Sequence, residues 1–191
     1  MLRLATMELR RRRALRRLAA GPLRDYLSAP YPARRCPTDK VNFAAVDIET
    51  TGLDPARDEI IAVGLVHMRG DRVELAGARR WLIAPRGPIP ERSAVIHQIT
   101  DDYAAGGRAI DKVLPELLAE LAGKVMVAHH AWLETRFLDK ACRRLYGGPF
   151  LALVVDTERL ERRWMERRNL PAAPGELRLG ALRESHNLPR Y

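Results

Sequence analysis

The sequence predicts an α/β fold, a mixed five-stranded sheet with three antiparallel strands followed by two parallel ones and helices flanking it. Three observations predict it. Apolar runs at 43–48, 60–68 and 73–83 follow one another across short polar breaks, the last two joined by Arg69-Gly70-Asp71, which is the pattern of consecutive antiparallel strands. Beyond them strand-like and helix-like segments alternate, and that order adds strands in parallel. The chain has 191 residues, 47% hydrophobic and 30% charged, enough apolar material for one buried core and too little for two ordinary domains.

Residues 7–20 read as a short basic helix with Leu9, Leu15 and Leu18 as a partial apolar stripe, stopped by Gly21-Pro22. From Ser28 to Pro37 the prolines bias their predecessors away from helix, so this stretch reads as an extended linker. The expected organisation is a basic N-terminal helix and Pro-rich linker over 1–40 and a globular domain over 41–191. Phe43 to Ile48 is an apolar run that ends in acids and meets Thr50-Thr51-Gly52, as a buried strand entering a tight loop does. After the strands Ile60–Met68 and Val73–Ile83 comes an irregular stretch from Pro85 that contains His97. Ile110, Val113, Leu114, Leu117, Leu118 and Leu121 recur at helical spacing up to Gly123. A strand at 124–128, a helix at 132–146, a strand at 151–155 and a charged helix at 158–168 complete the pattern.

The formal charge is +9, and its distribution says more than its size. Residues 1–35 hold ten arginines against Glu8 and Asp25, whereas residues 36–191 hold 23 basic and 22 acidic residues. The basicity belongs to the N-terminal arm, which suits contact with nucleic acid or with a protein partner. Cys36 and Cys142 are too few and too far apart for a disulfide framework or a metal-cysteine motif, which fits a reducing, cytoplasmic setting. No run of eighteen apolar residues is present, so no membrane association is expected.

Asp47 and Glu49 lie two apart at the end of an apolar strand, so both carboxylates project from one face of the sheet. They repel unless a cation lies between them, and a hard divalent ion with a preference for oxygen supplies that charge and activates water for attack on a phosphodiester. The string Asp47-Ile48-Glu49-Thr50-Thr51-Gly52-Leu53-Asp54 resembles the first motif of the DEDD superfamily of 3′–5′ exonucleases, DnaQ-like and most similar to the epsilon proofreading subunits of bacterial DNA polymerase III. Within it, Gly52 allows close backbone approach, Thr50 and Thr51 offer donors, and Leu53 is a wedge against the last base.

The resemblance continues. Val95-Ile96-His97-Gln98-Ile99-Thr100 is similar to the family's I-H-G-I-T segment, with Gln98 in the glycine position and His97 lining the nucleotide pocket. Val127 to Glu134 with Phe137-Leu138 resembles the second motif, A-H-N-A-x-F-D-x-x-F-L, with His129 in place, His130 for the asparagine and Glu134 for the metal-binding aspartate. Glutamate keeps the charge and adds one methylene, so ligation by Glu134 is expected. Asp156-Thr157 resembles the family's strand-to-helix D-T, where Asp156 reads as a helix cap rather than a ligand. No H-x-A-x-x-D string, the third motif of the histidine-bearing branch, follows Leu177, Leu179 and Leu182.

The resemblance implies a ribonuclease H-like exonuclease fold with its C-terminal catalytic helix missing. It also implies two divalent ions, Mg²⁺ or Mn²⁺, with Asp47 bridging both, Glu49 holding the nucleophile-side ion and Glu134 the second. A single-stranded 3′ end, with DNA the expected nucleic acid, would bind against Thr50, Thr51, Gly52, Leu53, His97, His129 and His130, and nucleoside monophosphates would leave. A DNA polymerase subunit is an implied partner. Without a third motif the expectation is a C-terminally incomplete domain of impaired activity. A non-catalytic nucleic-acid-binding or polymerase-associated module stays open beside it.

Overall fold

The computed structural model describes residues 2–33 and 35–189. Five strands, β1 (Asn42–Thr50), β2 (Ile60–Arg69), β3 (Arg72–Leu82), β4 (Val125–Ala128) and β5 (Val154–Asp156), form one sheet in the order β3-β2-β1-β4-β5. β2 pairs antiparallel with both β1 and β3, while β4 pairs parallel with both β1 and β5, so the mixed sheet expected from the sequence is the one observed. The turn between β2 and β3 needs Gly70, whose φ of 60° is left-handed and whose added Cβ would stand 2.9 Å from the Asp39 backbone.

Eight α-helices surround the sheet among the described residues: α1 (Leu2–Leu15), α2 (Pro22–Ser28), α3 (Glu91–His97), α4 (Asp101–Ala105), α5 (Ile110–Leu121), α6 (Trp132–Tyr146), α7 (Thr157–Glu166) and α8 (Leu179–Ser185). Alternation along β1 sends Ala44, Val46 and Ile48 into a core shared with Val113, Leu114, Leu117 and Leu118 of α5 and Phe137 and Leu138 of α6. Asp47 and Glu49, one position out of phase, therefore face away from that core. A second cluster of Ile61, Ala62, Ile89, Ile99 and Ala104 fastens the stretch that reads as irregular in sequence, which holds the two short helices α3 and α4.

The N-terminal segment departs most from expectation. α1 ends at Leu15, short of the stop expected at Gly21-Pro22, and that pair instead opens α2, because proline in a first helical turn loses no hydrogen bond. Leu23, Tyr26 and Leu27 of α2 are buried in the main core, and Tyr26 stacks on Phe150 with ring centroids 5.4 Å apart. The Tyr26 and Tyr31 hydroxyls both donate to the Leu151 carbonyl, at 2.8 and 3.0 Å. That carbonyl is thereby withdrawn from the ladder, and β5 starts at Val154 rather than at 151. Arg11 donates to the Leu27 carbonyl at 2.7 Å, and Arg24 donates to those of Leu15 and Leu18 at 2.6 and 2.8 Å. α1 is thus docked through Ala14, with Met7, Leu15 and Leu18 beside it, while Leu9, expected in its apolar stripe, is exposed.

Candidate active site

Asp47 and Glu49 stand at the C-terminal end of β1, beside the parallel strand β4, whose end leads through His129, His130 and Ala131 into α6. Glu134 occupies the first turn of α6 and is only 3% exposed. Burial pushes its carboxyl up to about 7, the negative charges of Asp47 and Asp156 push the same way, and its own backbone N–H and His130 oppose them. Its Oε2 is buried without a hydrogen-bond partner, a costly state for a carboxylate oxygen and one a bound cation would relieve. Burial also raises Asp47 against a hydrogen bond from the Ile48 backbone. Glu49 is raised by burial and by Asp47, and held back by Arg80 of β3. Asp47 thus acts as a like charge on both Glu49 and Glu134, which places the three carboxyls in one electrostatic neighbourhood. Among the described residues, no three His, Cys, Asp or Glu side chains converge closely enough to hold a metal ion as they stand.

The loop after β1 is closed by its own side chains. The Thr50 hydroxyl donates to the Gly52 carbonyl at 2.7 Å, and the Thr51 hydroxyl donates to Asp58 Oδ1 at 3.3 Å. Asp58 Oδ2 accepts from the Asp54 N–H at 2.8 Å, so the carboxylate lies across the loop against Gly52. A Cβ on Gly52 would stand 2.7 Å from Asp58 Cγ, which is why no side chain fits there. Ser93 of α3 donates to the Thr51 carbonyl at 2.8 Å, and Lys140 of α6 donates to the Asp58 carbonyl at 2.7 Å. The threonine hydroxyls are therefore spent inside the loop. What the loop presents outward is Leu53, 76% exposed, and the Gly52 and Leu53 N–H groups, which meet no acceptor among the described residues.

The three histidines differ in role. His97 Nδ1 accepts from the Ile99 N–H at 3.1 Å, so Nε2 carries the proton of the neutral ring, and it is buried without a partner. Burial lowers the His97 pKa, with the Thr50 backbone opposing, so a neutral donor faces the strand end that carries the acids. Gln98 follows at φ 58°, the left-handed backbone for which glycine is the usual residue. His129 Nε2 donates to the Leu177 carbonyl at 2.9 Å, and its Nδ1 meets the Thr157 hydroxyl at 2.9 Å, so both ring nitrogens bracket β4, α7 and the C-terminal segment together. His130 also has a left-handed backbone, φ 58°, the conformation that asparagine adopts readily. Its Nδ1 lies 2.7 Å from Glu158 Oε2, and its N–H donates to Asp156 Oδ1 at 3.2 Å. Asp156 Oδ1 also accepts from the Arg159 N–H, so Asp156 caps α7 as the sequence predicts.

A family model described as Exonuclease matches residues 44–187, most of the chain and every residue of the site just described. The chain belongs to the exonuclease family, in its DnaQ-like DEDD branch. Among exonuclease-family relatives, it is 33% identical over 152 residues to a PolC-type DNA polymerase III of Thermotoga petrophila, covering 78% of this chain and 11% of that protein. It is 33% identical over 119 residues to the DNA polymerase III epsilon subunit of Treponema pallidum, covering 62% of this chain and 54% of the subunit. The chain thus spans a small part of the first of these relatives and about half of the second. Its fold matches that of E. coli exonuclease I in complex with an oligonucleotide, with a TM-score of 0.70 at 14% identity over 80% of this chain and 37% of that one. This is the ribonuclease H-like exonuclease fold, with three antiparallel and then two parallel strands.

Several residues of this site escape sequence reading. Asp58 and Ser93 shape the loop, Arg80 acts on Glu49, and Lys140 ties α6 to the loop. Asp58 carries a faint signal, an acid placed between a turn and the buried Ile60-Ile61 pair. The others carry none, since their partners are backbone carbonyls or charges distant in sequence. No described helix is long and apolar enough to cross a membrane.

Proposed function

We propose that this chain is a divalent-metal-dependent 3′–5′ exonuclease domain acting on single-stranded DNA 3′ ends, with Asp47, Glu49 and Glu134 as its metal ligands. The observation that carries this reading is the orphaned oxygen of buried Glu134, beside Asp47, at the strand end that also bears Glu49. The donor set is all carboxylate oxygen, which fits Mg²⁺ or Mn²⁺ and not a thiolate-loving ion. When bound, two such ions supply positive charge for the phosphodiester and an activated water. Asp47, Glu49 and Glu134 would hold them. The chain's own part is placement: Leu53 stacks against the terminal base, the Gly52 and Leu53 N–H groups and His97 Nε2 meet polar atoms of the last nucleotide, and Thr50 and Thr51 hold the loop in shape. His130 flanks the same end of the sheet, and His129 keeps the C-terminal segment against it. Association with a DNA polymerase is supported by the polymerase III relatives.

The experiment is incubation of the chain with a 5′-labelled single-stranded oligodeoxynucleotide and Mn²⁺. Stepwise shortening with release of nucleoside monophosphates is expected, and Asp47→Ala should abolish it. A second reading is favoured by the carboxylates not converging on their own: a non-catalytic module that holds a 3′ end without cutting it. Metal-independent oligonucleotide binding, with no shortening at any Mn²⁺ concentration, would decide for that module.

A further inference from the structure

We propose that α1 and the turn that ends it form a second nucleic-acid contact, in which Arg13, Arg16 and Arg17 bind backbone phosphates away from the carboxylate site. The bland alternative is that an arginine-rich helix is simply well solvated. Three observations weigh against it.

The first is that the helix is fixed. Arg11 and Arg24 dock it through the Leu27, Leu15 and Leu18 carbonyls, and Ala14 is buried beneath it. The helical bonding runs on past Leu15, with Arg16 N–H to the Arg12 carbonyl at 3.3 Å and Leu18 N–H to that of Ala14 at 3.0 Å. Its cations thus hold a set spacing, and binding them costs little further ordering of the backbone.

The second is the division of labour among the arginines. Glu8, the single acid of α1, accepts from both Arg11 and Arg12, and these hold it down to about 2. Arg13, Arg16 and Arg17 are exposed and have no acidic partner among the described residues. Residues 36–191, with 23 basic and 22 acidic residues, are nearly balanced, so the unneutralised charge of the protein is gathered here. Among the described side chains of α1, Leu9 is the exposed large apolar one, set among arginines.

The third is position. α2, on which α1 rests, meets Leu151 and Phe150, and the following Ala29 and Pro30 lie against Gly123, so the whole segment sits where β4 and β5 begin. The carboxylates sit where β1, β4 and β5 end. The two regions are therefore at opposite ends of the sheet, a strand's length of about 15 Å or more apart. A strand whose 3′ end lies at the acids reaches the arginines only through its upstream nucleotides, so the ridge acts on affinity and on retention of longer strands.

Nucleic acid as the polyanion rests on the exonuclease reading, but binding can be measured in EDTA without turnover, so a failure of hydrolysis and a failure of the ridge are distinguishable. The full chain is titrated into a 5′-fluorescein oligothymidylate of about thirty nucleotides, and anisotropy is followed across a salt series. The triple variant Arg13→Ala, Arg16→Ala, Arg17→Ala should weaken low-salt binding by about tenfold and reduce the slope of log K against log salt by about 2, the value for three single-strand phosphate contacts. Lysine at the same three positions should keep the slope, whatever happens to the melting temperature. The pair Arg69→Ala, Arg72→Ala, at the β2–β3 turn, which shares this end of the sheet but lies across it beyond β1, should change the slope little. An unchanged slope in the alanine triple would overturn the inference. So would an equal loss per arginine in the turn pair, which would reduce the effect to net charge. Ridge-dependent binding to phosphatidylserine vesicles with unchanged oligonucleotide binding would also overturn it.

Discussion

Glu134 is buried, left without a partner at Oε2 and crowded by Asp47 and Asp156, which makes it a liability unless something cationic shares the site. Its folded-state carboxyl lies at about 7, above the ordinary 4.5, so between those values the folded protein holds a proton that the unfolded chain has released. Stability in EDTA should therefore fall as pH rises from about 4.5 to about 7, by roughly 3 kcal/mol from this group. Glu134→Gln should remove that fall. Urea unfolding of both proteins from pH 5 to 8 checks it, and the difference between them isolates Glu134 from His97, whose lowered pKa works in the opposite sense. Gly52 offers a second test at this scale. Gly52→Ala forces the Asp58 carboxylate out of its place across the loop, at an expected cost of about 1–3 kcal/mol. Combined with Asp58→Ala, the loss should be clearly less than the sum of the two single variants, measured by the same unfolding curves.

Among the elements, α2 carries the most weight for its length. Leu23 is 1% exposed beneath it, so Leu23→Ala should destabilise by about 2–4 kcal/mol in chemical unfolding, as deep truncations in a core do. Tyr26→Phe keeps the ring stack on Phe150 and removes the hydrogen bond to Leu151, at about 1 kcal/mol. Neither cost would be expected of an arm joined by an extended linker. That contrast shows where the sequence is readable. The strands β1 and β4 and the helices α5 and α6 announce themselves because one face of each is buried, which imposes a period of two or of three to four on the apolar residues, whereas β2 opens as a continuous buried run and β3, exposed over most of its length, is read from the turn before it. α2 has seven residues, too few for a period, and its opening Gly21-Pro22 reads equally as a stop. The site divides the same way. Asp47, Glu49, Leu53, His97 and Glu134 stand in contiguous strings that match a family pattern. Asp58, Ser93, Arg80 and Lys140 act across gaps in sequence that only the folded backbone closes. The left-handed backbones of Gln98 and His130 account for the glycine and asparagine that the family pattern has at those places, residues at ease with positive φ, and leave the glutamine and histidine that replace them without a structural explanation.

For the molecule as a whole, one sheet keeps two charged regions apart. The ends of β1, β4 and β5 gather acids, and the segment packed where β4 and β5 begin carries the arginines. A polyanion attracted to the second and cut at the first would lie along the domain, with a cation needed only at the acidic end. The proposed chemistry depends on that cation. Its most direct test is Mn²⁺ binding at pH 8, where Glu134 is ionised, followed through the electron paramagnetic resonance signal of free Mn²⁺ for the wild type, Asp47→Asn and Glu134→Gln. Loss of free Mn²⁺ signal in the wild type, abolished by either substitution in proteins with unchanged circular dichroism, is the predicted result. Equal binding by all three proteins, or none by the wild type, would contradict it.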